Sequence, residues 1–203
     1  AYAEALRCVP FAPASSFALS GERQQVKCPS DPRLLVGSIA FATAEDAAKA
    51  VEALEAAYAD GPWPRSSPAA RAATLVRAGL IMLARRPRLA ALISLEAGKT
   101  AAEALGDVDE AVDFLNFYAR EEVRVTKKHP DLMSRGVVAA ITPWNFPLAI
   151  PCGMVAAPLV AGNCVALKSA EQAPLISQDL VRSLHEAGVP SDALIPLPGM
   201  GET

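Results

Sequence analysis

Little in this 203-residue sequence favours a metal, a disulfide framework or a nucleic acid. The four cysteines, Cys8, Cys28, Cys152 and Cys164, are too scattered to form a Cys-x-x-Cys pair or a ligand cluster. That spacing argues against zinc-site and disulfide signatures, and reduced cytoplasmic thiols are the expectation. Of the two histidines, His129 precedes Pro130 in a polar loop and His185 falls late on an amphipathic helix. Both read as surface residues. Aromatics make up only 5% of the chain, which favours helices or α/β layers over an all-β sandwich. The net charge is −3 with the two signs interspersed and no lysine/arginine run, so no nucleic-acid or membrane-surface partner is expected. A small molecule is the better-supported partner.

Long uninterrupted apolar runs are also scarce. The nearly charge-free stretch from Gly136 to Leu167 is long enough to span a bilayer. It is cut, however, by Pro143, Asn145, Pro147, Pro151, Pro158 and the Gly162-Asn163 turn, so it reads as strand, helix and strand, with no transmembrane segment. The sequence does not open with a basic segment followed by an apolar core, so no signal peptide is read.

The apolar fraction of 52% and charged fraction of 20% predict a packed core, and the length fits one domain with an appended arm. Residues 1 to 35 are irregular and proline-studded (Pro10, Pro13, Pro29, Pro32), with short strands at Gln24–Cys28 and Leu34–Phe41. Thr43 followed by Asp46 resembles a capping box, and Ala47, Ala50, Val51 and Leu54 then share one helical face. Ser67-Pro68 starts another helix, whose apolar stripe reads as Val76, Leu80 and Leu83 and which breaks at Pro87. Helices over 88–97 and 101–122 follow, separated at Gly98, the second burying Val108, Val112, Leu115 and Ala119.

At Gly136 the rhythm changes. Val137–Ile141 reads as a buried parallel strand, 147–161 as an apolar helix and Cys164–Lys168 as a second strand. An amphipathic helix over 174–187 ends at Gly188, and Ala193–Leu197 is a third strand. The fold class is therefore α/β: a helical N-terminal segment (1–135), then the first half of a Rossmann-like parallel sheet (136–203). Right-handed crossovers place both helices on one face, and the half-sheet leaves an exposed edge.

Ligands of such sheets bind outside the carboxyl ends of the strands. Asn145, in Ile141-Thr142-Pro143-Trp144-Asn145-Phe146-Pro147, sits where the first strand meets its helix. Its amide can point at a developing oxyanion, and free N–H groups of the helix start would favour an anion. The same segment also reads as a proline-rigidified turn whose asparagine caps the helix. Lys168, Ser169 and Glu171 follow the second strand, where an acidic group accepts from a ribose; a solvated Lys/Glu pair is the alternative. Gly199-x-Gly201 admits close approach of backbone to a phosphate, or is simply a turn. Cys152 and Cys164 read as small hydrophobes inside elements. Arg120, Glu121, Glu122 and Arg124 read as a solvated helix face.

Taken together, Thr142-Pro-Trp-Asn-Phe-Pro147, Lys168-x-x-Glu171 and Pro198-Gly-x-Gly201 resemble the aldehyde dehydrogenase superfamily in order and spacing. Glu96-Ala-Gly-Lys-Thr100, Gly61-Pro-Trp63 and Arg71 extend the resemblance over roughly Lys27 to Thr203. Glu110-Ala-Val-Asp-Phe-Leu-Asn-Phe-Tyr-Ala119 and Glu171-Gln-Ala-Pro-Leu-Ile176 look most like the 1-pyrroline-5-carboxylate dehydrogenase module of bifunctional proline-catabolic enzymes. The resemblance implies NAD-dependent oxidation of an aldehyde, glutamate γ-semialdehyde, to glutamate. It gives Asn145 the oxyanion. Ile141, Thr142, Pro143 and Trp144 line the cofactor cleft, and Lys168, Ser169, Glu171 and Gly201 belong to the cofactor side. A carboxylate at Glu171 repels a 2′-phosphate, which favours NAD over NADP. Ser169 departs from the proline usual in the family. The family's nucleophilic cysteine and general-base glutamate lie beyond the Gly-x-Gly turn. The expectation is thus a single incomplete NAD-binding domain over 1–203, inactive alone. It would act as a homo-oligomer or pack against further domains. The alternative is a non-catalytic module serving assembly.

Overall fold

The computed structural model describes residues 1–11 and 17–202; Pro13 of the irregular arm and Thr203 lie outside them. A short helix α1 (Tyr2–Ala5) precedes an antiparallel hairpin of β1 (Arg23–Cys28) and β2 (Asp31–Ala40). Helices α2 (Ala44–Asp60), α3 (Pro62–Arg65), α4 (Pro68–Ala84), α5 (Arg86–Ala97) and α6 (Ala101–Lys128) follow. Then come β3 (Val137–Ile141), α7 (Ala149–Val160), β4 (Cys164–Lys168), α8 (Pro174–Ala187) and β5 (Leu194–Pro196). The last three strands form one parallel sheet in the order β3-β4-β5.

Local chemistry starts the helices where the sequence places them. Thr43 and Asp46 form a reciprocal capping box for α2, Ser67 caps α4 with Pro68 behind it, and Thr100 with Glu103 caps α6. Gly98 takes a left-handed φ of 72° to end α5, and Gly188 a φ of 113° to end α8. Helix α4 packs against α6, α7 and α8, while α2 lies against all three parallel strands. The sheet is thus sandwiched: α7 and α8 lie beneath α4 on one face and α2 covers the other. The hairpin rests on α5, and Gly37 of β2 lets Leu175 of α8 approach to a distance at which a Cβ would clash at 2.8 Å.

Five expectations fail in instructive ways. Val76, Leu80 and Leu83 of α4 are exposed, Leu80 by 62%, and the buried stripe is Ala72, Leu75, Ala78 and Met82. Helix α4 carries apolar residues around its whole circumference, so its pattern fits two faces. The face packed against α6 is the buried one, with Val112 3.5 Å from where a Gly79 Cβ would stand. Val51 is likewise exposed, although Ala50 and Leu54 beside it are fully buried. Pro87 opens α5 from its first turn, because a proline costs no hydrogen bond there, and the break falls at Arg85. Finally, β3 is an edge strand: Ile141 is 68% exposed, and only Ala140 of its residues is buried. Helix α6 also runs past residue 122 to Lys128.

Candidate functional site

The carboxyl ends of the three parallel strands are stitched together by their own backbone. Thr142 N–H donates to the Lys168 carbonyl at 3.1 Å, and Leu197 N–H donates to the Leu167 carbonyl at 2.8 Å. The three motif segments, separated by dozens of residues in sequence, therefore meet at one end of the sheet. Ala42 N–H reaches the Pro198 carbonyl at 2.6 Å, fixing the start of the third segment against the chain that leads into α2.

The β3–α7 segment is open. Trp144 is 55% exposed, Pro143, Asn145 and Phe146 are exposed too, and only Thr142 and Pro147 are buried. The asparagine does not cap α7: the position before the helix is Leu148, with no side-chain cap. Asp107 of α6, fully buried, supplies that role instead by accepting from Ala149 N–H at 2.7 Å. This removes the capping alternative for Asn145 and leaves its carboxamide without a partner among the described residues. It also corrects the expectation of freely available N–H groups at the helix start, since a protein carboxylate already occupies Ala149.

The β4–α8 segment is closed by comparison. Lys168 Nζ pairs with Glu171 Oε2 at 3.1 Å, both side chains partly shielded. The backbone N–H of Glu171 and then Lys168 hold the Glu171 carboxyl below the usual range. Ser169 is 1% exposed, and its hydroxyl has no partner among the described residues. Helix α8 also lacks a cap of its own, and Glu96 from α5 provides one. Its two carboxyl oxygens accept from Leu175 N–H at 2.6 Å and Ile176 N–H at 2.9 Å. Burial pushes Glu96 up to about 8, against those two donors, which favour the anion.

The Gly-x-Gly segment contributes less. Neither glycine has a positive φ, and a Cβ at Gly201 would meet open space. Nothing in the backbone requires glycine at 201.

Cysteine chemistry is absent from this end of the sheet. Cys152 is buried in α7 with its thiol donating to the Ala111 carbonyl at 3.3 Å, and burial pushes its pKa upward. Burial also raises Cys164, to about 11. Neither is a ready thiolate nucleophile. His185 is half-buried, its Nε2 3.0 Å from the Leu194 carbonyl, and burial lowers its pKa; it is not the surface residue expected.

Sequence reasoning missed an ionic framework at the C-terminal end of α7, the end away from the motif segments. Arg71 donates through Nε to the Val160 carbonyl at 2.6 Å and through Nη1 to Ser66, and pairs with Glu122 at 3.1 Å. Those two side chains are only 7% and 9% exposed, so Glu122 belongs to the interior and not to a solvated face. Trp63 Nε1 bonds the neighbouring Leu159 carbonyl at 3.0 Å. Together they satisfy the Leu159 and Val160 carbonyls at the end of α7, as the isolated motif spacing could not have shown. A cavity of about 780 Å³ is lined by Arg71 and Glu122 together with Val123, Leu132 and Met133. None of its lining residues belongs to the three motif segments, so the chemistry is placed at the strand ends and not in this cavity.

A parallel βαβαβ unit with an open loop and an ion-paired carboxylate at its strand ends has the layout of a doubly wound α/β sheet, whose ligands bind outside the carboxyl ends of the strands. The aldehyde dehydrogenase family profile matches residues 18–203, and the chain belongs to that family. It is 43% identical over 185 residues to the bifunctional protein PutA of Escherichia coli (strain K12), covering 91% of this chain and 14% of that protein. It is 36% identical over 201 residues to 1-pyrroline-5-carboxylate dehydrogenase 2 of Bacillus subtilis (strain 168), covering 90% of this chain and 38% of that one. Among solved structures, proline utilization A from Bdellovibrio bacteriovorus superposes with a TM-score of 0.91 at 38% identity, covering 99% of this chain and 22% of that one. A 1-pyrroline-5-carboxylate dehydrogenase from Thermus, crystallised with bound NAD, gives 0.87 at 32%, covering 99% and 42%. The chain thus spans well under half the length of these relatives.

Proposed function

We propose that this chain is the cofactor-side and oxyanion-side part of an NAD-dependent aldehyde dehydrogenase whose substrate is glutamate γ-semialdehyde. The observation that carries the reading is the meeting of Thr142, Lys168 and Leu197 at one set of strand ends. That arrangement sets the Asn145 loop and the Lys168/Glu171 pair on the same side of the sheet. The substrate rests on the proline-catabolic relatives, whose names it follows. The 1–203 span is read as one incomplete NAD-binding domain.

The residues present fit the dinucleotide. Glu171, held ionised, offers two acceptor oxygens to the ribose hydroxyls, and Lys168 adds donors beside them. The same negative charge disfavours a 2′-phosphate. Ile141, Pro143 and Trp144 are exposed and offer the cofactor an open surface, with the buried Thr142 among them, and Ser169 and Gly201 are assigned to the cofactor side with them. When bound, NAD supplies the hydride acceptor. Asn145 donates its side-chain N–H to the oxygen of the aldehyde as negative charge develops there, a contribution worth about 3 kcal/mol in comparable oxyanion sites. None of the four cysteines, Cys8, Cys28, Cys152 and Cys164, lies in the three motif segments, so the reading requires a cysteine from outside this stretch, and the 203-residue chain alone is expected not to turn over aldehyde.

Calorimetric titration of the chain with NAD tests the cofactor assignment. Binding that weakens on Glu171→Ala and is stronger than NADP binding is the expected result. Affinity indifferent to Glu171 would remove the ribose role, and steady NADH formation from an aldehyde would remove the claim of inactivity. A non-catalytic assembly role is the second reading, favoured by the exposed edge of β3 with Ile141 and Trp144 beside it. The same exposure leads us to expect a homo-oligomer or further domains covering that edge.

A further inference from the structure

We infer that the short turn Glu96-Ala-Gly-Lys-Thr100 is a positioning bracket that holds the two ligand-bearing loops of the sheet in fixed relation. The assignment of those loops to oxyanion and cofactor rests on the reading above; the bracket itself rests on geometry. Within four residues the turn reaches both strand–helix junctions. Glu96 takes the Leu175 and Ile176 N–H groups, anchoring the start of α8 just after Glu171. Lys99 Nζ donates to the Asn145 carbonyl at 3.2 Å and stands 4.0 Å over the Phe146 ring centroid. Its third partner is Asp107 Oδ2 at 2.8 Å, and the other oxygen of Asp107 holds Ala149 N–H.

An ammonium has three donors. Here a carboxylate, a carbonyl and an aromatic face surround it, and two of the three groups belong to Asn145 and Phe146. Residues 143–146 of this loop are exposed; the segment is hydrogen-bonded to β4 at Thr142, and Asp107 of α6 holds Ala149 just beyond it. Fixing the Asn145 carbonyl restrains the backbone that carries the Asn145 side chain, so Lys99 positions that residue without touching a ligand. Gly98 makes the geometry available. Its left-handed φ of 72° reverses the chain between the residue serving α8 and the residue serving α7, and Pro29 already stands 3.2 Å from where a Cβ would be. Lys99 and Glu96 are thus positioning residues, one for each loop.

The test is amide hydrogen exchange followed by mass spectrometry on the 203-residue chain, with unfolding curves run alongside. Lys99→Met, which keeps the stem but removes the charge, should speed exchange over 143–150 by roughly tenfold or more while 174–178 stays protected. Glu96→Gln should do the reverse. Lys99→Arg should restore most of the protection over 143–150, because a guanidinium can still bridge Asp107 and the carbonyl, whereas a side chain serving only as filler would be replaced equally well by Met. Asp107→Asn, should Lys99→Met fail to fold, keeps the Ala149 acceptor and is expected to loosen 143–146 more than 149–150. Unchanged protection in a folded Lys99→Met, or a uniform loss along the chain in both variants, overturns the bracket. Failure of NAD to bind the unaltered chain would instead count against the functional reading and leaves the exchange result to stand by itself.

Discussion

The two strand–helix junctions of the sheet solve one problem with different electrostatics. Both α7 and α8 begin without a side-chain cap of their own, and both borrow a buried carboxylate from the helical layer. At the first junction the carboxylate is Asp107, and Lys99 neutralises it. At the second it is Glu96, which forms no ion pair among the described residues and is pushed up to about 8 by burial. The first junction is open, with Trp144, Asn145 and Phe146 in solvent, while the second is packed around Ser169, Ala170 and Leu175. A charged, compensated cap suits a loop that must stay exposed and yet hold one shape. A cap close to neutrality suits a loop that is stable because it is buried.

The largest way to break this comparison is at the compensated side. Asp107→Ala strands the Lys99 ammonium and leaves Ala149 N–H unpaired, and should cost about 3–5 kcal/mol in urea unfolding, the usual result of removing one partner of a buried pair. Arg71→Met, which breaks the other buried pair and frees the Val160 carbonyl, should fall in the same range of about 3–5 kcal/mol by the same measurement, but without loosening 143–146. If it loosens that loop equally, the two ends of α7 are not independent.

At the second junction the difference appears as a pH dependence. The folded-state pKa of Glu96, about 8, lies above its ordinary 4.5, so the folded chain keeps a proton that the unfolded chain releases. The stabilisation is therefore fully present below about pH 4.5 and is lost as pH rises through 8. Glu96→Gln cannot titrate, so the stability of the unaltered chain relative to this variant should decline between pH 5 and pH 8, as read by melting temperatures at the two pH values. A constant difference would show that the two N–H donors hold Glu96 ionised throughout. The smallest effect is expected at Ser169→Ala: removing a buried hydroxyl without a partner should leave stability within about 1 kcal/mol or raise it slightly, as measured by thermal melting. A clear loss would reveal a partner for that hydroxyl.

Much of this was legible in the residues. The capping box at Thr43/Asp46 names its own helix because the interacting atoms are three residues apart, and the box at Thr100/Glu103, which went unread, has the same spacing. The βαβαβ order follows from glycine punctuation and apolar runs in the same way. Readings went astray where a choice among faces depends on a neighbour: α4 offers apolar residues on all sides, and only its contact with α6 decides that Leu75 and Met82 are buried and Leu80 is not. Glu122 looked like one of a solvated charged set because its partner, Arg71, lies 51 residues away.

The sequence by itself determined the local elements, the motif set and the family to which the chain belongs, since these depend on residues near one another and on their order. Tertiary structure alone decided which carboxylates cap α7 and α8, that Asn145 is left free of that duty, and that one turn serves both loops. Those facts rest on contacts between residues some 40 to 80 positions apart. No local pattern encodes such contacts, because the free energy of a buried charge is set by what the fold brings against it.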